Sequence, residues 1–130
     1  MWLETAATQA AALALPIARS SDGVLLTDWE PLLRALQDET RSIGERAALF
    51  HETLAHALVA QARQIRIETA IGRIGLTGGV FQNRRLTESV IAVAASDGFA
   101  VEMPRQLPVN DAGLSFGQLI EAAAPLTRPA

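Results

Sequence analysis

The stretch Gly75-Leu-Thr-Gly-Gly-Val-Phe-Gln-Asn83 constrains this chain most strongly. An apolar run closes in a glycine pair, and a helical pattern with polar residues in its first turn follows at once. Glycine lets backbone approach closely and take up φ > 0. The orphan N–H groups of a new helix then point at whatever sits in the crook. That order of residues describes either an anion site for phosphate or carboxylate, or a tight turn with no ligand. It is not a Walker A loop, because no Gly-Lys-Ser/Thr follows. Nor is it the dinucleotide fingerprint, since Gly72, Gly75 and Gly78 recur every three residues.

The patterning around it predicts an α/β chain rich in helix. Residues 2–14 show helical spacing of Leu and Ala, ended by Pro16. Residues 19–23 read as a turn and residues 24–27 as a short strand. Asp28 is placed to cap a helix over residues 29–37, with Pro31 in its first turn. Ser42 and Glu45 form a capping box for the longest helix, residues 43–66. Its expected apolar stripe is Ala47, Phe50, Leu54, Leu58, Ala62 and Ile65. Residues 69–76 and 99–103 are strand candidates flanking a helix over residues 82–96. This spacing predicts a parallel, right-handed βαβ unit. A last apolar helix, residues 114–124, is expected to stop at Pro125.

A second polar turn, Asn110-Asp-Ala-Gly113, also opens a helix. Asp111 is suited to a hard cation and Asn110 to a ribose or base, although both residue types also favour plain helix caps. In an α/β sheet, two such turns tend to meet at the carboxyl ends of the strands, where ligands bind. His51-Glu-Thr-Leu-Ala-His56 does not have zinc-protease spacing. Its histidines lie five residues apart, about 140° around a helix rather than on one face. His51 is expected to be packed and hydrogen-bonded, and His56 to face solvent. Arg84 and Arg85 fall where a helix dipole disfavours cations; they are either solvated or turned to an acidic group.

Composition removes several classes. With 11 basic and 14 acidic residues the formal charge is −3, which leaves no basic footprint for nucleic acid. Cysteine is absent, so disulfides and thiolate metal ligands are excluded. Residues 1–18 carry Glu4 and lack a basic leading region, so neither a targeting peptide nor a membrane span is expected there. Cytoplasmic location follows by default. Hydrophobic residues reach 49% with aromatics at 5%, which predicts helix packing through small side chains.

Two blocks carry a family resemblance. Thr77-Gly-Gly-Val-Phe-Gln-Asn-Arg-Arg-Leu-Thr-Glu88 and Leu107-Pro-Val-Asn-Asp-Ala-Gly-Leu-Ser-Phe-Gly-Gln118 resemble the carboxyl-terminal region of the HypF family, the carbamoyltransferases of nickel–iron hydrogenase maturation. Met1–Ala6 and Ala47–Ala55 extend the likeness over nearly the whole chain. The resemblance implies the C-terminal part of an actin/Hsp70/sugar-kinase-like (ASKHA) ATP-binding domain, so that residues 1–130 form a single partial domain. It also implies that Gly78, Gly79, Val80 and Asn83 hold the nucleotide, with Asn110 and Gly113 beside it. Asp111 is implied as a ligand of a divalent metal, and no residue of this chain as a catalytic nucleophile.

The implied cofactors are ATP, through carbamoyl-adenylate, and that metal. The implied acceptor is the terminal cysteine of a HypE-like protein. Ala112 departs from the family's glycine, and would be strained if that position needs φ > 0. The acylphosphatase-like, zinc-finger and adenylate-forming parts of the family lie outside these residues, as does the amino-terminal half of the ASKHA domain with its paired histidines. One aspartate does not hold a catalytic metal. The expectation is therefore a piece inactive by itself. The alternative is a non-catalytic nucleotide-binding or docking module that forms homo-oligomers through its uncovered face.

Overall fold

The computed structural model describes residues 2–127, and side-chain surroundings for residues 3–124. One helix, α3 (Ile43–Thr69), is the spine. It begins where Ser42 accepts the Glu45 N–H through Oγ and the Glu45 carboxylate accepts the Ser42 N–H at 2.8 Å. It ends at Ala70, whose φ of 59° is the only positive value outside glycine among the described residues. Ser42→Ala is expected to cost about 1 kcal/mol, read as a lowered urea midpoint. The Ser42 hydrogen bonds hold the Glu45 carboxyl below its ordinary range. The folded pKa thus lies under the unfolded one, so the contribution is whole above the unfolded value and fades as pH falls through the folded one. Ser42→Ala should therefore flatten the acid side of the stability profile.

Two layers flank α3. On one side α4 (Arg84–Ser96) joins the parallel strands β3 (Arg73–Gly75) and β4 (Ala100–Glu102), with Ile74 opposite Val101. Ala55 of α3 is buried with Leu76, Leu86 and Val90, and Val59 with Ala94 and Phe99. Alanines at these contacts bring the helices close, as the composition predicts. Arg63 pairs with Asp97 in the α4–β4 turn, where its guanidinium holds the Asp97 carboxyl below the usual range. Arg66 lies 3.9 Å above the Phe99 ring and donates to the Asp97 carbonyl at 2.8 Å.

The other layer is the amino-terminal third. Helix α1 (Trp2–Ala6) lasts one turn, not the thirteen residues expected. Residues 7–16 are non-helical because their backbone bonds elsewhere. The Thr8 N–H donates to Gly44 and the Leu13 N–H to Thr53 Oγ1, while Arg85 donates to the Ala7 and Thr8 carbonyls. These tertiary bonds outweigh alanine's helix propensity. Strands β1 (Ile17–Arg19) and β2 (Leu25–Thr27) make an antiparallel hairpin, its turn carrying Gly23 at φ 85°. Helix α2 (Glu30–Leu36) follows, with its leading N–H accepted by Asp28 at 2.9 Å.

Being flanked twice changes which face of α3 is buried. Ala48, His51, Ala55 and Val59 line one side, and Leu49, Thr53 and Ala57 another. Of the expected stripe, Ala47 is buried and Phe50, Leu54 and Ala62 are half-buried, whereas Leu58 and Ile65 are exposed. Two further boundaries differ from expectation. Residues 69–72 are not strand, since α3 runs through Thr69. Helix α5 (Leu114–Thr127) continues past Pro125. Among the described residues, no helix is long and apolar enough to cross a membrane.

Candidate functional site

Strand β3 delivers the chain into the first turn. The Leu76 N–H is the last to join the sheet, donating to the Glu102 carbonyl at 2.9 Å. At Gly78 the backbone takes φ 107° and ψ 154°, a region essentially reserved for glycine. A 3₁₀ turn, Gly79–Gln82, comes next, and α4 begins only at Arg84, two residues later than the sequence pattern indicates. As the leading residues of a helical turn, Gly79 and Val80 have no carbonyl behind them to accept their N–H groups.

The second turn folds against the first. The Gly78 N–H donates to the Val109 carbonyl at 2.5 Å, and a Cβ placed on Gly79 would lie 3.9 Å from that of Asn110. The two glycine-bearing bends therefore share one wall. Asn110 Oδ1 accepts the Ala112 N–H at 3.1 Å, capping a 3₁₀ turn, Asp111–Gly113, that leads into α5. Gly113 packs closely, because a Cβ there would stand 3.0 Å from the Pro108 carbonyl oxygen, which would have to give way by a few tenths of an ångström. Ala112 is not at positive φ, so its methyl is unstrained.

Between the second turn and α5 lies an open cleft of about 530 Å³. Thr77, Gly78, Asn110, Asp111 and Gly113 form one side, with Leu107, Pro108 and Val109 as an apolar floor. Leu114, Gly117, Gln118 and Glu121 form the other side. These four recur at i, i+3, i+4 and i+7, so one helix face supplies them. Sequence reasoning missed this face as site-forming, although its periodicity was there to read.

Gly79 and Val80 are exposed within the 3₁₀ turn, next to the cleft lining but not part of it, and Asn83 is set back. The Asn83 side chain is committed within the fold: Oδ1 accepts the Leu86 N–H at 3.0 Å, and Nδ2 lies 2.8 Å from His51 Nε2. His51 is buried and His56 exposed, as expected from the sequence. The start of α4 is likewise filled from within, since Glu4 accepts the Arg85 N–H at 3.1 Å. Arg85 itself reaches Glu52, and Arg84 pairs with Glu88 at 2.7 Å. An anion would accordingly meet the 3₁₀ turn rather than the α4 terminus. Among the described residues no three His, Cys, Asp or Glu side chains converge as a metal site. Asp111 offers a single hard oxygen donor at the cleft edge.

The glycine turn between β3 and α4 thus closes against the Asn-Asp turn at the head of α5. Residues 1–118 match the family described as "Carbamoyltransferase, Kae1-like Domain, second subdomain". The chain belongs to this family, as a carboxyl-terminal segment of the HypF carbamoyltransferases. It is 38% identical over 97 residues to the carbamoyltransferase HypF of Synechocystis sp., covering 74% of this chain and 12% of that protein. To a HypF homolog of Cupriavidus necator it is 40% identical over 107 residues, 78% of this chain and 27% of the relative.

A crystal structure of full-length HypF in a phosphate- and nucleotide-bound form superimposes with a TM-score of 0.88 at 30% identity, over 98% of this chain and 17% of that one. A crystal structure of T. kodakarensis HypF shares the fold at a TM-score of 0.74 and 22% identity, over 95% of this chain and 16% of that one. The chain thus spans about an eighth of the Synechocystis relative's length. The fold is α/β and helix-rich, of the ASKHA type.

Proposed function

We propose that residues 1–130 are a partial domain that forms the nucleotide-facing wall of a HypF-type carbamoyl-transfer site. The whole enzyme on this reading makes carbamoyl-adenylate from ATP and carbamoyl phosphate, then passes the carbamoyl group to the C-terminal cysteine of a HypE-like acceptor. The observation that carries it is the backbone bond joining Gly78 to Val109, which holds the two turns on one cleft. The N–H groups of Gly79 and Val80 would donate to a phosphoryl oxygen. The apolar floor of Leu107, Pro108 and Val109 would take the face of the nucleoside and keep water from it.

Charge favours one nucleotide form over another. Asp111 and Glu121 both line the cleft, so a triphosphate would enter against two carboxylates unless a cation came with it. An acyl-adenylate, with a single charge on its phosphoryl group, meets less repulsion. Asp111 would contribute one ligand to that accompanying divalent ion, whose chemistry is to neutralise charge on the departing phosphate. The thiolate nucleophile would come from the acceptor, since this chain contains no cysteine. Alone, the piece is proposed to bind without turning over.

The test is an AMP titration, with magnesium, of the ¹⁵N-labelled chain. Shifts are expected at the Gly79, Val80 and Asp111–Leu114 amides, and their absence at millimolar AMP would refute the reading. A second reading, a docking or self-associating module, is favoured by the exposed Leu114, Phe116, Leu119 and Ile120 along α5. Gel filtration in the same buffers separates the two: an AMP-blind dimer supports the module, an AMP-binding monomer the retained wall.

A further inference from the structure

We propose that His51 is the positioning residue of the glycine turn, acting through Asn83; the inference deepens the nucleotide-wall reading and rests on it. His51 is 1% exposed on α3, thirty-two residues from Asn83 in the chain. Its roles are set from both ends. The Leu86 N–H can only donate, so the Asn83 group facing it is the carbonyl oxygen, at 3.0 Å. That turns the Asn83 NH₂ toward His51 Nε2, 2.8 Å away, which must accept. The Ala47 carbonyl can only accept, so His51 Nδ1, 2.7 Å from it, carries the proton and donates. Both ends require the same tautomer, with hydrogen on Nδ1 and the lone pair on Nε2.

This relay fixes the far end of the 3₁₀ turn. Asn83 closes that turn through its own N–H, donated to the Val80 carbonyl at 3.1 Å, and opens α4 through its side chain. One residue thus sets the angle between turn and helix, and His51 sets that residue's amide. Thr87 Oγ1 adds a donor to the Phe81 carbonyl at 2.9 Å, but it does not touch Asn83. Without the Nε2 acceptor, the Asn83 NH₂ would be left facing an apolar surface and the amide would rotate, uncapping Leu86. Gly79 and Val80 would then lose the fixed direction of their N–H groups.

Three single variants, His51→Gln, His51→Leu and Asn83→Ala, and the His51→Leu/Asn83→Ala double variant test this by ¹⁵N spectra and amide exchange without ligand. Glutamine retains an acceptor near the Nε2 position, so wild-type Gly79 and Val80 shifts and Leu86 protection are expected. His51→Leu and Asn83→Ala are each expected to speed Leu86 exchange about tenfold and to move the same turn amides, and the double variant no further. Protection in the middle of α3 should stay unchanged in Asn83→Ala, which keeps the test readable if His51→Leu fails to fold. The imidazole ¹⁵N spectrum should show protonated Nδ1 and bare Nε2. An undisturbed turn in Asn83→Ala, or glutamine behaving as leucine does, would overturn the inference. Failure of the wild-type chain to respond to AMP would instead defeat the nucleotide reading, leaving these ligand-free results to decide the positioning role.

Discussion

Set into a full-length HypF-type enzyme, this segment with Asp111→Ala is expected to lower carbamoyl transfer about a thousandfold, roughly 4 kcal/mol of transition-state stabilisation. Carbamoyl-adenylate formation, which belongs to another domain on the proposed reading, should be unchanged. The reason lies in geometry and charge. Asp111 begins a one-turn helix that Asn110 caps, so its carboxylate is carried on a fixed backbone at the cleft edge. It offers a hard anionic oxygen that alanine lacks. The turn itself should survive, because its cap is the Asn110 side chain and its closing bond is backbone, from the Gly113 N–H to the Asn110 carbonyl at 3.0 Å. Assaying adenylate formation and transfer separately distinguishes lost chemistry from lost fold. Undiminished transfer would remove Asp111 from the metal's ligands.

The second large effect is expected at Gly78. Gly78→Val should cost the fold about 3 kcal/mol, since it forces a β-branched residue into backbone space that glycine alone enters freely. AMP binding should fall at least about tenfold, given that the same residue makes the link to Val109. Gly79→Ala is the control. Gly79 is not at positive φ and its added methyl would sit 3.9 Å from Asn110, an ordinary contact, so its stability cost should stay within about 1 kcal/mol. The contrast is instructive because a Cβ on Gly78 meets nothing within 4 Å. If its substitution hurts, the cause is conformation and not crowding. Urea midpoints of the two variants give the comparison, and equal midpoints would show that Gly78 relaxes to an unstrained φ.

What was legible in the sequence was what is settled locally. The capping box at Ser42 and Glu45, the long helix behind it, the strand–helix–strand order and the two polar turns all follow from neighbours within a few residues. The meeting of those turns was legible as a tendency of α/β sheets. The atoms that join them, the Gly78 N–H and the Val109 carbonyl, are backbone groups and leave no letter behind. The Ala-rich amino terminus departs from its helical pattern for the opposite reason. Its composition favours helix, but partners at Gly44, Thr53 and Arg85 claim its backbone. A single apolar stripe on α3 suits one neighbouring layer, whereas the helix has two. Small buried residues such as Ala48 and Ala55 carry contacts that a search for large apolar side chains passes over. Asn83 was assigned to the ligand on resemblance. Its amide is directed at His51 and Leu86, a pairing that spacing along the chain does not reveal.

The Gly78–Val109 link joins two main-chain groups, neither of which ionises. Ionic strength and moderate acidity therefore have no direct grip on the seam between the bends. If affinity for a nucleotide proves sensitive to salt, the sensitivity belongs to the ligand's own charges and to the carboxylates at the rim.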